Sequence, residues 1–362
     1  MKKLAFIVII LSATFQVHAQ YRESQNMLEQ LIWDDEKLNI YIDTRIDFQN
    51  IIENGRLENI SFVGQTVRLW LFGEVVPGIR YRIRHRINKL SETSLRDNYS
   101  DATDHAFLSF DIGPRWTITA GKQPVQIGTF ENDYNGADVY LGTMVFNDFA
   151  GSATGVNIAY KFAKQIMNVQ VTNSDEKEFA NTDYRNKALA INVLWIGDLF
   201  NEVIRTRWGY GTFQHTKTKF YNWGTLGTQL NTGKIVTEFD YYTGIRNMDY
   251  GYMVNDDELG VRYVQDQSIS LSVEYSSPKW RPFIKGIWDK RYDKNMHSTA
   301  YRSLGIQAVA EYYPFTNPRT KDLRFHLAYA YKNTDFRGHF GELGNVGTHY
   351  IIAGTRWFFK AK

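Results

Sequence analysis

The chain has 362 residues, no cysteine, 42 basic against 39 acidic side chains and a formal net charge of +3. The absent cysteines exclude the small disulfide-stapled secreted scaffolds, and the near balance of charge leaves no overall footprint for nucleic acid. Mean hydropathy is −0.41 and no run approaches the ~20 apolar residues of a spanning helix, so a helical membrane protein is excluded too.

The first stretch, MKKLAFIVIILSATFQVHA, reads as a secretory signal peptide. Lys2 and Lys3 form its basic start, residues 4–11 its apolar run, and Ala19 the small residue for cleavage before Gln20. The apolar run is too short for an anchor. The mature chain is therefore expected to be exported, with a periplasmic segment over 20–37 and a single barrel domain over 38–362.

From residue 38 onward the pattern has period two. LNIYIDTRIDF (38–48) sets Leu38, Ile40, Ile42, Ile46 and Phe48 on one face and Asn39, Tyr41, Asp43, Arg45 and Asp47 on the other. Strand side chains alternate between faces, so this is a two-faced strand. The signature returns at 66–75, 79–88, 105–112, 116–121, 155–162, 167–171, 188–196 and 203–213. It continues at 220–230, 235–243, 268–275, 281–288, 304–313, 323–332 and 349–359. The count is about sixteen, an even number, and only 281–288 leaves its facing ambiguous.

The connections carry more information than the strands. Residues 76–78, 113–115, 163–164, 231–233 and 276–279 make tight turns. Longer polar stretches at 50–59, 91–102, 128–152, 173–184, 245–265 and 334–346 fall between them. Short turns on one side and long loops on the other are the habit of outer-membrane barrels. In lipid a β protein must also close on itself, because every backbone polar group needs a partner. The expected fold is all-β, a transmembrane antiparallel barrel in the outer membrane of a Gram-negative cell. The even count puts both termini on the periplasmic side.

IRYRIRHRINK (79–89) tests that expectation. Arg80, Arg82, Arg84 and Arg86 share one face, with Ile79, Ile83 and Ile87 behind them. Against lipid each arginine would cost roughly 2–4 kcal/mol near the midplane, and a one-residue slip of register would expose them all. They are expected to face an aqueous lumen. The same rule turns Arg68, Arg205, Arg207, Arg324 and Arg356 inward, with Asp43, Asp47, Glu74, Asp111, Glu238, Asp240, Glu274 and Glu311. The signs look segregated, basic on the second and third strands and acidic on the eleventh to fourteenth. Arg45 and Arg356 are expected to neutralise carboxylates, whereas the fourfold row is expected to serve passing anions. Guanidinium suits oxyanions because its fork matches them and it stays charged.

Loop 128–152 is long enough to be functional. From Gln123 to Tyr160 it has no Lys or Arg, while Glu131, Asp133, Asp138 and Asp148 are acidic and Val139–Leu141, Met144–Phe146 and Phe149 are largely apolar. It is expected to fold into the lumen as a constriction. On the last strand Ile351, Ala353, Trp357 and Phe359 face outward, and the spacing of Gly354, Trp357 and Phe359 resembles the C-terminal signal read by the outer-membrane assembly machinery. Strand-end aromatics such as Trp116, Trp195, Trp208 and Tyr312 suit interfacial girdles.

With TVRLWLFGEVVPGIRYRIRHRINK (66–89) and ITAGKQPVQIGTFEN (118–132) in view, the chain resembles the phosphate-selective porin O and P family. The resemblance implies a sixteen-stranded, often trimeric channel whose arginine ladder maps onto Arg80, Arg82, Arg84 and Arg86 with Arg68 beside them. It implies small anionic or polar solutes as cargo and no cofactor. A general non-selective porin is the close alternative, and a non-conducting structural or adhesin barrel a further one. An enzyme is not expected. There is no HExxH, GxSxG or phosphate loop, and inward His326 has no assignable Ser or Asp partner in the sequence.

Overall fold

In the computed structural model every strand pairs antiparallel with the next in sequence, and the first pairs with the last, Phe48 opposite Ala353. The structure describes residues 37–90, 97–149, 151–174, 187–214, 217–218, 220–249 and 261–361. The expected signal peptide, and all but Lys37 of the segment after it, lie outside the described residues. The strands are β1 (Asn39–Glu53), β2 (Arg56–Val76), β3 (Ile79–Arg86), β4 (Thr103–Ile112), β5 (Trp116–Pro124), β6 (Ser152–Phe162), β7 (Gln165–Asn173) and β8 (Leu189–Leu199). They continue as β9 (Ile204–Gln214), β10 (Phe220–Asn231), β11 (Ile235–Asp249), β12 (Val261–Tyr275), β13 (Trp280–Asp293), β14 (Ser298–Tyr312), β15 (Arg324–Phe336) and β16 (Asn345–Lys360). All sixteen expected strands are present, and closure leaves the sheet no edge.

The barrel is inside out by the standards of a soluble protein. On β10, Tyr221, Trp223, Thr225 and Gln229 are buried inward, while Phe220, Leu226 and Leu230 are 42–48% exposed outward. On β3 the arginines turn in and Ile79 and Ile83 turn out. β13 is settled as well: Lys285, Ile287, Asp289 and Arg291 face in, and Ile284 faces out. Aromatic pairs gather at the end of the tight turns, Trp116 with Tyr160 and Trp280 with Tyr312, each at 4.5 Å between ring centroids. Trp357 and Phe359 stand at 4.1 Å there. Such a belt places rings with an apolar body and a polar tip where lipid tails give way to headgroups.

Three expectations about connections need correction. Residues 50–59 are no loop: β1 runs to Glu53, Asn54 and Gly55 turn with φ of 48° and 79°, and β2 starts at Arg56. Asn-Gly with both residues left-handed is the favoured two-residue hairpin turn, and Asn54 Oδ1 further accepts the Gly347 N–H. Stretches 245–265 and 334–346 are shorter loops than expected, because β11, β12 and β15 continue into them and Gly338–Leu343 forms a 3-10 turn. At the turn end, Tyr313–Leu323 between β14 and β15 is longer than its neighbours, with Pro314 and Pro318 barring strand pairing there.

Candidate functional site: the lumen and its inserted loop

The third loop leaves β5 at Pro124 and turns inside the barrel. Entry depends on two glycines. Ile127 O accepts from Thr225 Oγ1 at 2.7 Å. A Cβ on Gly128 (φ +91°) would meet that hydroxyl at 2.6 Å, and one on Gly209 would meet Ile127 O at 2.6 Å. Only bare backbone lets loop and wall approach so closely. Thr129 then caps the short helix α1 (Phe130–Asp133), and the N–H groups of Phe130 and Glu131 donate to Asp240 of β11 at 2.8 and 2.9 Å. A wall carboxylate thus satisfies donors that a helix start leaves open.

Beyond α1 the loop is tied to the wall side chain by side chain. Arg207 Nε donates to Asp133 at 2.7 Å and the Tyr134 hydroxyl donates to Glu238 at 2.6 Å. Asn135 donates to Asp43 at 2.7 Å and accepts from Arg68. Asp138 takes Arg324 at 2.7 Å and also Arg356, while Arg45 donates to Ala137 O at 2.8 Å. Glu131 holds Lys285 and the Thr143 hydroxyl. Helix α2 (Met144–Asp148) follows, its Met144 N–H bonded to Asp289. Asp148 closes the sequence of ties on Arg246 and Arg291, at 2.7 and 2.8 Å.

Apolar packing fills the gaps between these polar ties. Ile127, Val145 and Phe149 join Phe213, Trp223 and Tyr242 of the wall, and Leu141 meets Ile287 and Ala330. Tyr140 lies beneath the Arg45 guanidinium, 4.3 Å from its ring centroid, and covers inward Ile352. Burial raises the Tyr140 phenol above its ordinary range, so it remains a donor, directed to Glu311 at 3.3 Å.

The arginine row sits on the wall from β2 to β4. Arg82 and Arg84 are 1% and 4% exposed, and both lie over the Trp70 ring, at 5.6 and 5.0 Å. Arg84 and Arg86 share Asp104 at 3.0 and 2.9 Å, with Arg68 3.8 Å from the same carboxylate, and Arg80 pairs with Asp111 at 2.5 Å. The expectation that this row, unlike Arg45 and Arg356, does not neutralise neighbouring carboxylates is thereby corrected for Arg80, Arg84 and Arg86. Arg45 does pair with Asp47, and Arg356 with Asp43. Asp104 lies just before the strand expected from His105, because β4 begins at Thr103. Arg205 is buried on β9 two residues from Arg207.

Segregation of charge also needs refining. Near the turn end β11–β14 are acidic, with Glu238, Asp240, Glu274 and Glu311. Toward the loop end Arg246, Asp266 and Arg291 interleave, Asp266 receiving both guanidiniums at 2.7 and 2.8 Å. Lys285 adds a cation on β13. Arg246, Asp266, Asp289 and Arg291 lie beyond the ends expected at 243, 268 and 288, whereas Lys285 lies within 281–288, whose facing the sequence leaves ambiguous. Continuing the two-residue steps would have reached 246, 266, 289 and 291. His326 has a partner after all: its Nε2 lies 2.8 Å from Asp47, which Arg45 also holds. Among the described residues no cluster of His, Asp and Glu could hold a metal ion.

No known family's sequence profile matches the chain, and no curated protein sequence does. Its fold is shared with solved structures. OmpT of Vibrio cholerae with loop L8 deleted superposes at a TM-score of 0.61 with 11% identity, over 90% of this chain and 100% of that one. An anion-selective porin from Comamonas acidovorans gives 0.59 and 11%, over 89% and 99%. The outer membrane channel DcaP of Acinetobacter baumannii gives 0.59 and 12%, over 88% and 97%. At these identities the likeness is one of fold: a closed sixteen-strand barrel of the porin type.

Proposed function

We propose that the chain is an outer-membrane porin for passive diffusion of small solutes, with a lumen that favours anions. The observation that carries this reading is the wall from β2 to β4. There Arg68, Arg80, Arg82, Arg84 and Arg86 face inward around two carboxylates, Asp104 and Asp111. Like charges ranked along a pore wall set up a standing potential that draws counter-charged solutes. Guanidinium forks favour oxyanions among them, phosphate-like ones included, in keeping with the resemblance to phosphate-selective porins. Glu131, Asp133, Asp138 and Asp148 act as struts that hold the constricting loop, rather than as groups a solute meets. The Comamonas protein of the same fold is described as an anion-selective porin and one OmpT form as a trimer; a homotrimer in lipid, assembled by the machinery that reads the last strand, extends the reading to this chain. The acidic turn-end wall of β11–β14 favours a second reading, a general porin with little selectivity.

Reversal potentials of single channels in a potassium chloride gradient decide between them. A potential on the anion side that moves when phosphate is added supports the first reading. A potential near zero supports the second, and no conductance from folded protein removes both.

A further inference from the structure

Strands that rise from the turn end are repeatedly entered through a cation. Arg115 stands immediately before β5, Lys164 before β7, Lys234 before β11 and Lys279 before β13. All four residues are exposed, and among the described residues none of them takes part in an ion pair. Backbone bonds of 2.8 Å seat three of them on the last rung of the sheet: the Lys161 N–H donates to Arg115 O, the Ser276 N–H to Lys234 O and the Tyr313 N–H to Lys279 O. Arg319 and Lys321 add exposed cations on the turn between β14 and β15. Against them the turn-end connections expose two carboxylates, Glu202 and Asp322. A second feature sets these charges relative to lipid. Beside them on the outer surface stand Trp116, Phe162, Ile235 and Trp280, 38–51% exposed. Trp116 lies opposite Tyr160, Ile235 opposite Tyr275 and Trp280 opposite Tyr312, so the outward residues form a belt. A strand advances about 3.4 Å per residue, and Arg115, Lys234 and Lys279 sit one step beyond that belt on the water side.

We propose that the turn-end rim of the barrel is a docking surface for anionic phospholipids, those whose headgroup carries no ammonium to offset its phosphodiester. Belt residues of this kind lie where lipid tails give way to headgroups. A lysine or arginine next to them lays its apolar stem along the belt and holds its charge in the polar layer, at the level of the phosphates. There an ammonium or guanidinium donates charge-assisted hydrogen bonds to phosphate oxygens, and basic residues near a membrane surface add their attractions to anionic lipid. A zwitterionic lipid neutralises its own phosphate and gains less. Free phosphate has no acyl chains for Trp116, Phe162, Ile235 and Trp280 to meet. The surface rests on the barrel lying in a membrane, as the porin reading requires, and not on what the lumen selects.

The full chain is folded into vesicles of phosphatidylglycerol and phosphatidylcholine in equal parts, taken into mild detergent, and the lipids that stay bound are counted by native mass spectrometry. Phosphatidylglycerol is expected to be retained over phosphatidylcholine by at least about tenfold, and less so at high salt, where charges are screened. Arg115→Gln, Lys164→Gln, Lys234→Gln and Lys279→Gln together should abolish the preference in protein that still shows heat-modifiable migration. Lys187→Gln with Lys217→Gln, exposed cations at the loop end, should leave it intact. Glu202→Lys, which adds a cation on the turn before β9, should raise it, a gain that misfolding cannot mimic. Equal retention of the two lipids, a preference that survives the fourfold change, or its loss in the loop-end variant would overturn the proposal. So would displacement of the lipid by inorganic phosphate at matched ionic strength, which would mark a site for the free ion. Conductance is read separately: a conducting channel without lipid preference loses the surface and keeps the porin reading. A non-conducting barrel with the preference does the reverse.

Discussion

Arg207 on β9 and Asp133 on the inserted loop form an ion pair of 2.7 Å, its two side chains 0% and 7% exposed. The guanidinium also lies 5.2 Å from the ring of Phe130, the first residue of α1. Wall and loop are therefore joined where water has little access. Removing one partner of such a pair costs ~3–5 kcal/mol, much of it from stranding the other charge. Replacing both by apolar residues can be close to neutral. We expect Asp133→Leu and Arg207→Leu each to lower the unfolding temperature, and the double change to recover most of the loss. A double-mutant cycle on thermal unfolding in detergent measures the coupling; additive losses would mean that the pair does not hold the loop.

The loop's entry gives a steric test. A Cβ on Gly209 would stand 2.6 Å from Ile127 O and 2.7 Å from Thr225 Oγ1. Gly209→Val should thus dislodge the loop from β9 while β-branching suits the strand itself. The expected outcome is a barrel with normal heat-modifiable migration and a larger, noisier conductance. Deletion of Tyr134–Phe146 should raise conductance further, since it removes most of what crosses the lumen. Unchanged current from the folded deletion would show that the segment does not restrict flow.

Orientation can be read by labelling, because the chain has no cysteine of its own. Lys294, between β13 and β14, lies at the loop end, and Ser277, between β12 and β13, at the turn end. On intact cells a membrane-impermeant maleimide should label Lys294→Cys and spare Ser277→Cys until the envelope is opened. The opposite pattern would invert the barrel.

Much of this architecture was legible in the sequence because two-residue alternation survives wherever one face meets lipid. All sixteen strands follow from it, as does the inward turn of Arg80–Arg86. Reading faltered where the strand rises clear of the apolar band. There the outward face no longer needs to be apolar, so Ile245–Asp249 and Tyr292–Asp293 look like loop. Arg246, Asp266 and Arg291 lie in those strand ends, and Asp104 in the first two residues of β4. The Asn54-Gly55 hairpin differs in kind: the polar run around it has the length of a loop, yet its dipeptide is a specific turn signal. The loop's acidic and apolar content pointed to insertion, but no spacing within it could pair Asp133 with Arg207 or Asp148 with Arg291. Those ties join residues 74 and 143 positions apart, brought together only because the loop folds into a closed barrel.

The arginine row supplies the sharpest test of facing and function together. Arg82 and Arg84 point into the barrel, and Ile83 between them is 41% exposed outward. Ile83→Arg places a charge against lipid at ~2–4 kcal/mol near the midplane and should impair assembly, read as loss of the heat-modifiable band. Arg82→Glu with Arg84→Glu keeps charged groups inward, where Asp104 shows that carboxylates are already accommodated. This variant should assemble, at some cost from turning Asp104 into a like-charged neighbour of residue 84. It replaces two positive charges with two negative ones on a single wall, so the reversal potential should move away from anions. The shift should shrink as salt rises, because the screening length falls from ~10 Å at 0.1 M to ~3 Å at 1 M. A double variant that folds and conducts with unaltered selectivity would show that the current bypasses this wall. The anion preference would then have to come from Arg205 and the cations around the loop, or not exist.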